Sequence, residues 1–414
     1  MRVRPLSHGA GCLLLAGSRL NRLNGLAKES SLQMWAFVFW ISLGLVLYVY
    51  LGYPLLVALI AAVLDRRVRR APCEPAVTIL IAAHNEEASI RQTLQNKLSL
   101  DYPRAKLNII VVSDGSTDRT DEIVREFESE RVRLIRQEPR NGKTEALNKA
   151  VQEARGEIVV FSDANSIYDE DALRHLLANF ADPDVGYVTG RIVYTRPGDL
   201  SGVNAGCSSY MGYETFLRLA ETRAGSLVGV NGGIDAVRRE LYQPMRADQQ
   251  PDFVLPMMVV DRGYRVVFEP SANLYEASLN RSHEEFRMRV RVALRALRAL
   301  WDMRRLLNPF EFPFYSWQLF SHKLLRYLAF FPLLSLYASN LFLLRRGLLY
   351  DFSFFLQTTI YCAAVIGYYF QHHRRILRFL HAPFYFCLLN LAALTAFFQL
   401  LSGKTIILWN PRKG

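Results

Sequence analysis

Apolar and polar positions follow two rhythms along the middle of the chain. Val77–Ala83 (VTILIAA) is a short apolar run, and Glu86–Leu100 follows it with Ile90, Leu94 and Leu98 at helical spacing. The alternation repeats: Asn108–Asp114 (NIIVVSD) precedes a helix opening at Ser116, and Val132–Gln137 (VRLIRQ) precedes Gly142–Ala154, with Ala146, Leu147, Ala150 and Val151 on one face. Glu157–Asp163 (EIVVFSD) is a fourth strand. Apolar runs of this kind suit strands buried on both faces, so the pattern predicts an α/β domain with a mainly parallel sheet. Ligands of such open sheets bind beyond the carboxyl ends of the strands. Those ends carry His84-Asn85-Glu86, Ser113-Asp114-Gly115 and Asp163-Ala164-Asn165.

On either side of this region the rhythm gives way to long uncharged runs. Met34–Leu64 holds no charge and is long enough to cross a bilayer, with Pro54 as a kink; Tyr327–Leu344, Phe352–Phe370 and Ala382–Leu401 follow late in the chain. The predicted division is a disordered extension (1–33), a span (34–64), a globular domain (65–308), an interfacial helix (309–326), three further spans (327–344, 352–370, 382–401) and a tail (402–414). Met34 is also an expected alternative start of translation. Basic flanks at Asp65–Arg70 (DRRVRR) and His372–Arg378 (HHRRILR) are expected on the cytoplasmic side. This predicts a multi-pass protein of the cell membrane with its globular domain in the cytoplasm. Arg345 and Arg346 fall on the outer side of that scheme.

Charge and composition narrow the chemistry. The formal net charge is +12, and much of it gathers in Arg287–Arg305 (RMRVRVALRALRALWDMRR). A membrane surface and a diphosphate both suit this cluster, whereas no recognition motif accompanies it, so no nucleic-acid partner is expected. The five cysteines form no metal or redox pair. Neither GxGxxG nor GxxxxGK[ST] is present, which leaves a dinucleotide fold and a P-loop unsupported.

Each acidic candidate has two roles open to it. Asp114 either supports the turn at SDGSTD or accepts hydrogen bonds from a nucleotide base or sugar. Asp163 and Asn165 either close the strand with an Asx turn or offer oxygen ligands to a divalent cation, Mg²⁺ or Mn²⁺. Asp252, ahead of an apolar helix, either caps that helix or serves as a general base.

The ordered set of motifs resembles family 2 glycosyltransferases of GT-A fold. It comprises TILIAAHNEE (Thr78–Glu87), VVSDGSTD (Val111–Asp118), RNGKTEALNKA (Arg140–Ala150), FSDAN (Phe161–Asn165), VNGGIDAVRRELY (Val230–Tyr242) and PDFVLPMMVVDRGYRVVFEP (Pro251–Pro270). The resemblance implies a nucleotide-sugar donor, expected to be a UDP-sugar, bound by Ala83, His84, Asn85, Glu86 and Asp114, with Lys143 near its phosphates. It places Asp163 and Asn165 at the position that binds sugar-nucleotide and metal, and GGIDAVRR on the acceptor side. Asp252 takes the place of the catalytic base in an inverting transfer to a lipid, a glycan or a growing polysaccharide.

The membrane layout is similar to that of cellulose, chitin and hyaluronan synthases, which carry QxxRW before their later spans. Aligned there, RMRVRV keeps only Arg291, with Met288 and Val292 replacing Gln and Trp. Arg289 and Arg291 are candidates for pairing with diphosphate or with lipid head groups. A processive polymer synthase and a non-catalytic membrane sensor of nucleotide-sugars are the alternative readings. The closing LWNPRKG resembles a cytoplasmic tail, whereas the count of four spans puts it outside.

Overall fold

The computed structural model describes residues 10–129, 131–195, 202–277, 282–370 and 380–405. Helix α1 (Ala10–Leu47) passes through a π-helical turn (Tyr48–Gly52) into α2 (Tyr53–Leu64). The domain then runs β1 (Val77–Ala83), α3 (Ile90–Leu98), β2 (Leu107–Asp114), α4 (Thr120–Arg125), β3 (Val132–Gln137), α5 (Lys143–Glu153) and β4 (Ile158–Asp163). It continues with β5 (Ile167–Tyr168), α6 (Ala172–Ala178), β6 (Val185–Thr195), α7 (Gly202–Ala224), β7 (Ile234–Arg238), α8 (Pro251–Asp261), β8 (Arg265–Ala277) and α9 (Ser282–Asp302). Beyond lie α10 (Pro313–Gln318), a π-helical segment (Leu319–Leu324), α11 (Leu325–Tyr327), α12 (Phe330–Leu343), α13 (Leu348–Tyr369) and α14 (His381–Leu401).

The strands form one sheet in the order β3-β2-β1-β4-β7-β6-β8-β5. Strands β3, β2, β1 and β4 are mutually parallel, and β7 is antiparallel to both its neighbours, β4 and β6. Strand β6 then pairs in parallel with β8. All seven residues of β1 are buried, because successive side chains point to opposite, covered faces. Val77, Ile79 and Ile81 pack with Ile90 and Leu94 of α3 and Leu173 and Leu176 of α6. Leu80 and Ala82 pack with Ala146, Leu147 and Ala150 of α5, Val254 of α8 and Ala299 of α9. The expected sheet, mainly parallel and clad on both faces, is the one observed.

Among the described residues, Lys28–Leu64, Leu348–Tyr369 and His381–Leu401 are helices long and apolar enough to cross a membrane. Helix α12 has 14 residues, about 21 Å at 1.5 Å per residue, short of the ~30 Å hydrocarbon core. It forms a pair with Pro313–Tyr327, bent by 57°, which makes a fourth crossing if the two cross as a unit. The expected interfacial helix and following span are thus two arms of one bent element. The expected extension also differs: α1 is helical from Ala10 onward, and no proline interrupts the chain between Ala10 and Gly52. The basic run His372–Arg378 and the closing LWNPRKG lie outside the described residues.

A buried polar knot joins these helices to the domain. Tyr53 of α2 donates to Glu221 Oε1 of α7 at 2.5 Å, and His322 Nδ1 reaches the same oxygen at 2.7 Å. The Val228 backbone N–H donates to Glu221 Oε2, and Arg326 donates to Glu214 at 2.5 Å.

Candidate functional site

The sheet changes direction between β1 and β4: successive strands run outward from β1 to β2 and β3, then jump to β4 on its other side. Crevices at such switch points, beyond the carboxyl ends, are where ligands of α/β sheets sit. Here the crevice is a cavity of about 290 Å³. Glu86, Lys143, Asp163, Asn165, Asp252, Arg289 and Arg291 all line it, though they come from loops, one strand end and three helices.

Each of these side chains has a local reason for its place. Asp163 ends β4, and Lys143 opens α5 beside it; the ammonium and the Asp163 carboxylate are directly paired. Burial pulls the Lys143 pKa down, but Asp163, Asp252 and Asp235 around it prevail and hold it above its usual value. Burial also raises the Glu86 carboxyl, although Ser89 donates to it at 2.5 Å. Asp252 lies in the first turn of α8, behind Pro251, where the helix dipole favours a carboxylate.

The backbone of Asn231–Gly233 is shaped around these acids. Gly232 has φ +72°, a left-handed conformation, and a Cβ there would stand 2.7 Å from Asp252 Oδ2. Only glycine meets both conditions without strain.

Ala83, His84, Asn85 and Asp114, expected to touch the donor, do not line this cavity. They form a framework behind it, with Ala83, His84 and Asp114 buried and Asn85 exposed. Asp114 is fully buried and accepts from Gln137 Nε2 at 2.6 Å and from the backbone N–H groups of Asn141 and Gly142. It thereby fixes the loop that delivers Lys143. The His84 ring lies 2.8 Å from the Asp114 carbonyl, and Asn85, at φ 54°, accepts from the Thr117 N–H. Of the two roles open to Asp114, the turn-supporting one is visible here.

Several residues in or beside the site had escaped sequence reasoning. Asp235 of β7 is buried, and desolvation pushes its carboxyl up to about 7. Lys323 lines the cavity from the π-helical segment, packed so tightly on Gly229 that a Cβ there would stand 2.3 Å from its Nζ. Arg295, Arg218, Glu214 and Glu276 complete the charged lining. Asp235 sits inside a quoted motif and could have been singled out as an acid in an apolar strand. Lys323 carried no such signal, because only the bend at the end of α11 brings its segment over the domain.

Among the described residues, no group of three or more His, Cys, Asp or Glu is placed to hold a metal ion. Asp163 and Asn165 offer the cavity a carboxylate and an amide oxygen. These hard donors fit Mg²⁺ or Mn²⁺, which commonly take one or two carboxylates and complete the shell with water and substrate phosphates.

The sheet order and the crevice define the GT-A class of glycosyltransferase folds. A solved mannosyltransferase from Pyrobaculum calidifontis, in complex with GDP-Man and Mn²⁺, matches with a TM-score of 0.68 and 26% identity, covering 89% of this chain and 99% of that one. Residues 78–244 match the sequence model of glycosyl transferase family 2. The chain is 39% identical over 123 residues to "Probable glycosyltransferase YdaM" of Bacillus subtilis (strain 168), 28% of this chain and 29% of that protein. It is 36% identical over 116 residues to a poly-beta-1,6-N-acetyl-D-glucosamine synthase of Staphylococcus epidermidis, 28% of each. The chain thus spans under a third of the length of these curated relatives.

Proposed function

We propose that this chain is a membrane-bound inverting glycosyltransferase that takes a sugar from a nucleoside diphosphate and transfers it to an acceptor hydroxyl. One observation carries the reading: Asp163, Lys143, Asp252, Arg289 and Arg291 meet in a single cavity at the switch point of a GT-A sheet. The match to a mannosyltransferase solved with GDP-Man and Mn²⁺ supports it. A UDP-sugar is the first donor to test, and GDP-sugars follow from that likeness.

The lining residues divide the work. Lys143, Arg289 and Arg291 supply positive charge to the donor diphosphate. Asp163 and Asn165 are the residues that would hold a divalent cation, which when bound offsets charge on the leaving diphosphate. The acceptor hydroxyl gives its proton to Asp252 while its oxygen bonds to the anomeric carbon. The anomeric C–O bond breaks, its electron pair leaves with the diphosphate, and the centre inverts.

Orientation follows from the basic run after α2. Arg69 pairs with Asp182 at 3.3 Å and Arg70 with Glu269 at 3.0 Å, so this run and the domain share one side of the membrane. The positive-inside rule makes that side cytoplasmic.

The experiment is a panel of UDP- and GDP-sugars supplied to membranes containing the full chain, with Mg²⁺ or Mn²⁺. Donor-dependent release of nucleoside diphosphate, lost in Asp252→Asn, is expected. Release from no donor, in wild type and variant alike, refutes the assignment and favours a nucleotide sensor.

A further inference from the structure

A second cavity, of about 400 Å³, opens beside the first. Arg289, Val292, Lys323 and Tyr327 line both, so the two share a wall. Its volume falls within the roughly 300–1,000 Å³ typical of small-molecule sites. From that wall it runs between the amphipathic helix α9 and two candidate membrane spans. Tyr50 comes from the first span, and Phe386, Leu389, Asn390 and Ala393 come from α14.

The chemistry of the wall is lopsided. Arg289, Lys323, Arg326 and His322 stand at the end near the first cavity. Among the described residues lining it there is no carboxylate. The far end is aromatic and aliphatic. The cations already have protein partners, Arg289 with Glu285 at 2.7 Å and Arg326 with Glu214, so their guanidinium planes are held in place before a ligand arrives. A glycan chain would need a polar wall along its whole length. A free anion would leave the apolar end unused. The combination fits an amphiphile with an anionic head and a hydrocarbon tail.

We propose that this second cavity binds a phosphorylated lipid, its phosphate between Lys323 and Arg326 and its hydrocarbon tail along Leu389 and Ala393. The lipid is the carrier of the acceptor, and its head group projects across the shared wall toward Asp252. This assignment rests on the glycosyltransferase reading for the words "acceptor carrier" but not for the binding site itself.

The test is direct binding to the full chain in phosphatidylcholine nanodiscs, using radiolabelled farnesyl phosphate as the probe. Farnesol and inorganic phosphate serve as its two halves. Leu389→Trp fills the tail end, and Lys323→Gln removes one head-group charge. Nucleoside diphosphate affinity is measured in the same preparations. Farnesyl phosphate is expected to bind at least about tenfold more tightly than farnesol, and each substitution to weaken it by about tenfold. Leu389→Trp should leave nucleoside diphosphate affinity unchanged, which also reports an intact fold. Equal binding of farnesol, displacement by inorganic phosphate at matching concentration, or unaltered binding in Leu389→Trp overturns the proposal. Farnesyl phosphate binding that persists where no nucleoside diphosphate binds supports the lipid site while refuting the donor assignment.

Discussion

Gly232→Ala isolates what the geometry around Asp252 contributes. The new methyl would stand 2.7 Å from Asp252 Oδ2, and the backbone at φ +72° is one that L side chains rarely adopt. The backbone term alone costs about 1–2 kcal/mol. The contact is too short for two non-bonded heavy atoms, so either the loop or the carboxylate must shift. Misplacement of a reacting group by ~1 Å costs on the order of 10²-fold in rate. Gly263 provides the control: it has φ +86° but open space where a Cβ would go. Gly263→Ala therefore carries the backbone strain without the contact. Both variants should lose similar thermal stability in detergent, whereas only Gly232→Ala should lose about 10²-fold in kcat. Diphosphate affinity should hold in both. Full turnover by Gly232→Ala, or an equal loss of turnover in Gly263→Ala, would refute the reasoning.

Three further outcomes are expected. Asp163→Ala should abolish donor-dependent diphosphate release, while Asn165→Asp should retain it; equal loss in the two, read in the same cation titration, would give Asn165 a role beyond neutral ligation. Asp252→Asn should lower kcat by about 10²–10⁴-fold, the usual worth of a general base, with nucleoside diphosphate binding unchanged in equilibrium titration. Burial raises Asp235 from 3.8 to about 7, so its contribution to stability is full below pH ~4 and is lost as pH rises through ~7. Thermal unfolding in chelator should show that decline between pH 4 and 7, and Asp235→Asn should flatten it; an unchanged slope would contradict the assignment.

The strands on one side of the switch point were legible because burial leaves a direct trace in sequence. Val77–Ala83 was read with the boundaries that β1 has, since strands buried in a sheet spell continuous apolar runs. The other half of the sheet left no such trace. Strand β6 pairs with β8 across some eighty intervening positions, and β7 enters against the direction of β4; neither fact has a local signature. The same divide runs through the site. Asp163, Lys143 and Asp252 sit on ordered motifs and line one cavity, whereas Asp114, on a motif of the same kind, holds the Asn141–Gly142 backbone, because a strand-end acid looks alike in sequence whether it faces a ligand or a loop. Lys323 and the second cavity depend on how a bent helix lies over the domain, which no spacing reveals.

The knot of Tyr53, Glu221, His322, Glu214 and Arg326 has a consequence for which acceptors can be served. It fastens α2, α7 and the bent helix together through buried charges. Breaking one such pair by removing a partner typically costs about 3–5 kcal/mol, so the domain does not rock freely on its membrane helices. Under the proposed transfer, Asp252 would then stand at a constant height above the bilayer and act as a ruler. A membrane-held acceptor would react only at the hydroxyl it carries at that height. A product lengthened by one sugar would present its new end at a different level, and would have to move relative to the membrane before reacting again.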